Sequence, residues 1–317
     1  MAANVFGRYV WLVDLLRRYK RLTFEEINAQ WMKSALSYGD GDELPLRTFH
    51  NHRKAIKDIF DIYIECDAKD GYKYYIDQPE LLENDSLRIW LLDSFATLNH
   101  IHADASLKDR IIYEDVPSGQ IWLTTIMEAI RQGKILDMTY RAFGKKKEFT
   151  FDLEPYYLKI YNRRWYLIGK NPCYQREKDE ADRQGKTYNR PIFRVYALDR
   201  VLWINITDKS FNMDKSFDIQ SFYKGCCGIT PSDIPIEHVI IRAYGREADY
   251  LRSLPLHYSQ KEIGTEDETT LFSLDVCPTF DFYLMLISQG DQIEILEPLL
   301  VRKEMKKHIA RLSNYYE

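Results

Sequence analysis

"NRRWYLIGKN", residues 162–171, sets Arg163 and Arg164 directly against Trp165, Tyr166 and Leu167 and leaves through Gly169 and Lys170. Alternate residues of a β-strand share a face. Read as a strand, the stretch turns Trp165 and Leu167 towards a core and puts Arg164 and Tyr166 together on the other side. A guanidinium can hold phosphate with two parallel hydrogen bonds, and an aromatic ring can stack on a base. One face therefore reads as packing, and the other as a place for an anion.

The surrounding chain has the same two-residue period. Leu136, Met138 and Tyr140 alternate with Asp137, Thr139 and Arg141, and Phe149, Phe151 and Leu153 alternate with Thr150, Asp152 and Glu154. "AFGKKKEF" is a turn between them, and Pro155 is expected to end the second run. "YYLKIY", an Asn162-Arg163 turn, "RWYLIG" and "RVYALDRVLWINI" follow. The intervening "CYQREKDEADRQGKTYNR" reads as a long polar loop. Short strands with tight turns predict a small, strongly bent sheet or barrel over 135–212.

Residues 1–80 have a different character. Leu12, Leu15, Leu16 and Tyr19 carry the period of a first amphipathic helix. Thr23 and Glu26 form a capping box at the head of a second, whose apolar positions are Phe24, Ile27 and Trp31. A third helix through "LRTFHNHRKAIKDIF" starts beside Pro45 and is expected to bury Phe49, Ile56, Ile59 and Phe60. Between Pro45 and Lys57 stand Arg47, Arg53, Lys54 and Lys57 with no acid. Asp70-Gly71 then signals a hairpin. Helix, helix, basic helix and hairpin is the order of a winged helix-turn-helix, in which the third helix enters the major groove. Arg47, Thr48, His50, Asn51, Lys54 and Lys57 are the candidate DNA contacts; arginine and lysine suit guanine edges and phosphates, and asparagine can pair with adenine.

A mostly helical segment, 81–134, connects the two parts, with Pro117-Ser118-Gly119 as a break. His100, His102 and Asp104 in "HIHAD" match a metal-binding run only superficially, and no metal site is expected. From residue 236, "HVIIRAY", "READYLRSL", "SQKEIGTEDETTLFSLDV", "TFDFYLMLISQG", "QIEILEP" and "LLVRKEMKKHIARLSNYY" spell β-α-β-β-α-β and a closing helix. This is the order of a ferredoxin-like split β-α-β unit over 236–317.

Four blocks in order, "DMTYR" with Tyr140 and Arg141, Pro155 after the second strand, "RRWYLIGKN", and "FRVYALDRV" with Arg194, Tyr196, Asp199 and Arg200, resemble the WYL domain, which takes its name from the triplet at 165–167. With its flanking parts the chain resembles the WYL-domain transcriptional regulators of bacteria. The resemblance implies an Sm-like β-barrel at 135–212. It also implies an effector sensed there, with single-stranded nucleic acid or a nucleotide-like anion the favoured class, coupled to duplex DNA binding by the N-terminal domain. Candidate effector contacts are Tyr140, Arg141, Lys159, Arg163, Arg164, Tyr166, Arg194, Tyr196 and Arg200. The fold class expected is thus α+β and multidomain.

Composition narrows the remaining choices. The net charge of −4 excludes a uniformly basic nucleic-acid coat but allows a local basic patch. Five cysteines without a Cys-x-x-Cys pair suggest neither a disulfide framework nor a zinc site. With no apolar run long enough to span a bilayer and no secretion signal, a cytoplasmic protein is expected. There is no nucleophile elbow and no phosphate-binding glycine loop, so a cofactor-free non-enzyme is expected. Two other functions fit the sequence: an interaction or oligomerisation scaffold, where a homodimer would suit two DNA half-sites, and a thiol-based redox sensor at Cys226-Cys227.

Overall fold

A computed structural model describes residues 5–34, 36–37, 42–80, 86–103 and 119–317. The chain forms two compact units, 1–114 and 115–317.

In the first unit, α1 (Val5–Tyr19) is followed by the short strand β1 (Arg21–Leu22), α2 (Phe24–Met32), α3 (Leu46–Phe60), the hairpin β2 (Ile64–Asp67) and β3 (Lys73–Ile76), and α4 (Ser86–Ala103). The capping box forms as read: Thr23 accepts from the Glu26 amide, and the Glu26 carboxylate accepts from the Thr23 amide. Pro45 caps α3, which ends at a left-handed Asp61. The strands pair antiparallel in the order β1-β3-β2. At the hairpin tip Asp67 accepts from the amides of Lys69 and Asp70, and Gly71 and Tyr72 both have positive φ.

The core takes Leu12, Leu15 and Leu16 from α1, Ile27 and Trp31 from α2, and Phe49 and Ile56 from α3. Two expected members are outside it. Tyr19 and Ile59 are each about half exposed, 51% and 54%, because each lies in the final turn of its helix. In α3 the buried stripe centres on Phe49, His52 and Ile56, and the imidazole takes the place expected of an aliphatic side chain.

The second unit opens with one 3-10 turn (Gln120–Trp122) and α5 (Leu123–Gln132). Then come β4 (Lys134–Tyr140), β5 (Phe149–Tyr161), β6 (Arg164–Lys170), α6 (Pro172–Arg183), β7 (Phe193–Ala197), a 3-10 turn (Leu198–Arg200) and β8 (Val201–Ser210). The sheet runs β7-β6-β5-β4-β8, antiparallel throughout. Its edge strands β7 and β8 are joined by only three residues, so the sheet must curl until its edges meet there. No ladder joins β7 to β8 among the described residues: the pairing is that of an open, bent sheet and not a closed barrel. Ile126 and Ala129 of α5 fill its concave core with Leu136, Met138, Leu153 and Leu167.

Two local expectations are corrected here. Pro155 does not end a strand, because β5 continues through it with a register shift between Pro155 and Tyr157. It stands where β5 leaves β4 and takes up β6, a bulge at which the missing amide costs no ladder bond. The polar stretch after Asn171 is also no loop, since most of it is α6. Asn171 caps it through the Cys173 amide, Pro172 occupies its first turn, and Gln175–Asp179 and Arg183–Glu180 pair along it.

A one-turn helix α7 (Ile219–Phe222) precedes β9 (Glu237–Ala243), α8 (Glu247–Ser253), β10 (Lys261–Glu266), β11 (Thr269–Val276), α9 (Phe280–Ile287), β12 (Ile293–Glu297) and α10 (Leu299–Ser313). The strand order β10-β11-β9-β12, antiparallel at every pair, is that of a split β-α-β unit. Val239, Ile241, Phe272, Leu274 and Phe282 form its core.

Candidate functional site

On α3 the polar candidates separate cleanly from the core. Arg47, His50, Asn51, Lys54 and Lys57 are exposed, and Thr48 is half-buried. Spacings of three and four residues place Arg47, Asn51 and Lys54 on the side away from Phe49 and Ile56. Arg53, also basic, is used internally. Its Nε donates to the Ile64 carbonyl at 3.0 Å, and its guanidinium lies 5.0 Å over the Tyr74 ring, fixing the helix to the hairpin. Lys57 lies 4.7 Å over Tyr63, so its charge sits beside the strand that follows α3. At the tip, Arg21 pairs with Asp67 and Asp70, and Lys73 pairs with Asp70.

The nine effector candidates fall into separate groups. Arg164 and Tyr166 share a face of β6, as alternation requires, while Leu167 and Trp165 belong to the sheet's core. Arg164 makes an ion pair with Asp199, a partner 35 residues away on the 3-10 turn. Burial lowers the guanidinium's pKa, but Asp199 outweighs it and the net direction is up. Arg200, next in the chain, lies 3.6 Å over Phe143. Burial raises the Tyr140 phenol, against the charge and hydrogen bond of Arg200. The phenol of Tyr166, also buried, is raised as well, and the charges it feels include Arg164, Asp199 and Arg200. Arg164, with Tyr166 beside it on the same face of β6, thus meets Asp199, while Arg200, next in the chain to Asp199, acts on the Tyr140 phenol.

The other candidates lie elsewhere. Tyr196 pairs in register with Leu167 and has its ring 5.4 Å from Tyr140 within the core. Arg194, two residues before it, is 4.4 Å over Tyr174 of α6. Arg194 and Tyr196 thus occupy the face opposite Arg164 and Tyr166. Lys159 donates to the Gly228 carbonyl at 3.0 Å and lies 3.6 Å over Tyr223. Burial lowers its pKa, with Cys226 and Asp281 acting against that. Arg163 completes a two-residue turn with Asn162, both at positive φ, and Arg141 reaches Glu148 at 3.6 Å. The side chains of His100 and His102, and the whole of Asp104, lie outside the described residues.

Arg164 and Tyr166 open on a cleft of about 860 Å³ between the five-stranded sheet and the split β-α-β unit. Tyr161 and Asn162 stand beside them. Glu247, Tyr250, Leu254, Asp281, Leu284 and Met285 form the facing wall. Its volume falls in the range of ligand clefts, and its wall is mainly apolar with few polar groups. No described helix is long and apolar enough to cross a membrane.

The sequence model of the WYL domain matches residues 122–205, and that of the WCX domain matches residues 235–313. A comparison with curated proteins gives no match. Among solved structures, proteasome accessory factor B/C (PafBC) of Arthrobacter aurescens is 16% identical over 89% of this chain and 44% of that one, with a TM-score of 0.31. A CRISPR Cas-related protein is 12% identical over 87% of this chain and 74% of that one, with a TM-score of 0.37. The chain thus spans less than half the length of the first. The order of the blocks around Trp165-Tyr166-Leu167 and the two domain matches agree, and the chain belongs to the WYL-domain proteins, its WYL domain followed by a WCX domain.

Proposed function

We propose that this protein is a non-enzymatic bacterial transcriptional regulator. Its first unit acts as a winged helix-turn-helix that reads duplex DNA. Its bent five-stranded sheet acts as an open variant of an Sm-like barrel that senses an anionic effector, either single-stranded nucleic acid or a nucleotide. The observation that carries the DNA reading is the division of α3: Phe49, His52 and Ile56 are buried while Arg47, His50, Asn51, Lys54 and Lys57 face solvent, with the β2–β3 hairpin alongside. A helix whose exposed side is cationic and amide-bearing suits a major groove, and the hairpin suits the adjoining backbone. The effector reading is supported by Arg164 beside Tyr166 on β6 and by Arg200 acting on Tyr140, with Asp199 and Arg200 adjacent on the 3-10 turn. An effector alters DNA binding only as far as it favours one arrangement of the protein over another.

A mobility-shift assay on duplex DNA from the protein's own upstream region tests the first part. Salt-sensitive binding is expected, weakened in Arg47→Ala and Lys54→Ala. Absence of binding to any duplex by the wild type would sink it.

A further inference from the structure

The tip of the β2–β3 hairpin holds a tyrosine where the backbone asks for glycine. Asp67 and Lys73 face each other across the ladder, and two turns close the chain between them. The Asp70 amide donates to the Asp67 carbonyl at 3.3 Å, and the Lys73 amide donates to the Asp70 carbonyl at 3.4 Å. The second turn has Gly71 and Tyr72 at its centre, with φ +65 and +58. Two left-handed central residues suit Asn-Gly or Gly-Gly, and a bulky side chain there is strained. Packing does not hold Tyr72 in place: it is 68% exposed, and its ring meets no other ring among the described residues. A strained residue without a packing reason is a candidate for function.

The charges of the tip suit a polyanion in spite of its two acids. Arg21 pairs with Asp67 and Asp70, and Lys73 pairs with Asp70. Lys69 is exposed and has no ion pair among the described residues, so one positive charge is left over. The other acid of the hairpin, Glu65, lies in a hollow with His50, Arg53, Lys54 and Lys57, which outnumber it. Through that hollow the cationic side of α3 continues on to β2. From Ile64, where Arg53 fixes the hairpin, strand β2 runs to Asp67. That is about 10 Å of strand, against a major groove about 12 Å wide. With α3 seated in the groove, the tip meets the phosphates at its edge and not the bases.

We infer that Tyr72 and Lys69 contact the phosphate backbone of duplex DNA, the tyrosine hydroxyl donating to a phosphate oxygen and the ammonium neutralising a neighbouring phosphate. Tyr72 is a positioning residue: it fixes how α3 lies in the groove and reads no base. This rests on the reading of the first unit as a DNA-binding domain.

The test titrates the full chain with two fluorescent duplexes over a series of salt concentrations, one duplex from the protein's own upstream region and one of unrelated sequence. Tyr72→Gly is expected to melt no lower than the wild type, because glycine suits the turn, and to bind both duplexes roughly tenfold more weakly. Its salt dependence should match the wild type's, since a neutral hydroxyl releases no counterion. Tyr72→Phe keeps the ring and the backbone and should lose nearly as much affinity. Lys69→Ala should lower the salt slope by about one. Full affinity in Tyr72→Gly or Tyr72→Phe, an unchanged slope in Lys69→Ala, or a loss confined to the upstream duplex overturns the inference and leaves the DNA reading standing. Absence of wild-type binding to either duplex overturns both.

Discussion

Arg53 of α3 and Ile64 of β2 are joined by a charged hydrogen bond from guanidinium to backbone carbonyl, with Nε 3.0 Å from the oxygen. The most basic helix of the first unit therefore commits one arginine to holding the hairpin in place. Arg53→Ala is expected to cost about 1.5–3 kcal/mol, the range for a hydrogen bond to a charged group. Arg47→Ala, on the exposed side, is expected to stay within about 0.5 kcal/mol. Urea unfolding of the two variants beside the wild type checks the contrast, and equal losses would contradict it.

His52 gives the same unit a dependence on pH. Burial, then the charge of Arg8, push its pKa down to about 4. Between about 4 and the ordinary value of 6.5 the unfolded chain takes up a proton that the folded chain refuses. Stability should therefore fall as the pH drops through that window and level off below it, by on the order of 3 kcal/mol in all. His52→Leu should remove this part of the slope. Thermal unfolding of both proteins at a series of pH values measures it.

Gly119 has φ +68, and a Cβ there would lie 2.3 Å from the Leu198 carbonyl carbon and 2.6 Å from the Asp199 amide nitrogen. Both atoms are backbone and cannot swing aside. Gly119→Ala is expected to cost about 3 kcal/mol or more. Gly133 also has positive φ, at the end of α5, but its nearest neighbour would be the Phe211 oxygen at 3.3 Å. Gly133→Ala should cost only about 1 kcal/mol. Melting temperatures of the pair separate a steric block from a conformational preference.

The thiols should differ in reactivity. Burial, together with Cys226 and Cys277, pushes Cys227 up to about 12, and Cys226 and Cys277 are also raised, burial being the main cause in each. Cys173 is exposed. Alkylation at mildly alkaline pH should modify Cys173 rapidly and Cys227 only on unfolding, because the thiolate is the reactive form. Peptide mass spectrometry over time reads the order, and early labelling of Cys227 would revive a redox role.

What the sequence disclosed and what it hid follow from physical causes. Alternation correctly divided Trp165 and Leu167 from Arg164 and Tyr166, because β6 is packed on one side and borders a cleft on the other. The same rule could not say that Tyr196 aligns with Leu167 and not with Tyr166. Register between strands depends on the intervening chain, here α6. That helix was itself hidden, since none of its residues is buried and its mostly charged side chains present no apolar stripe to mark a core-facing side. The charge of Arg53 was visible, but its use was not, because Ile64 accepts through a backbone carbonyl that every residue possesses. Asp199 was visible as an acid beside Arg200, yet its partner is Arg164, reached only through the fold.

The pairing of β4 with β8 brings Lys134 opposite Ser210 and Tyr140 opposite Val201. Everything between, including β5, β6, α6 and β7, is a loop that must close before this ladder can exist. Loop-closure entropy is lost before such contacts form, and non-local pairing slows folding. During synthesis the middle domain must wait for its last strand, whereas the three-stranded sheet of the first unit needs only the chain up to Ile76. The turn that carries Asp199 and Arg200 immediately precedes that last strand, so the Arg164–Asp199 pair is assembled late, at the seam where the sheet is finished.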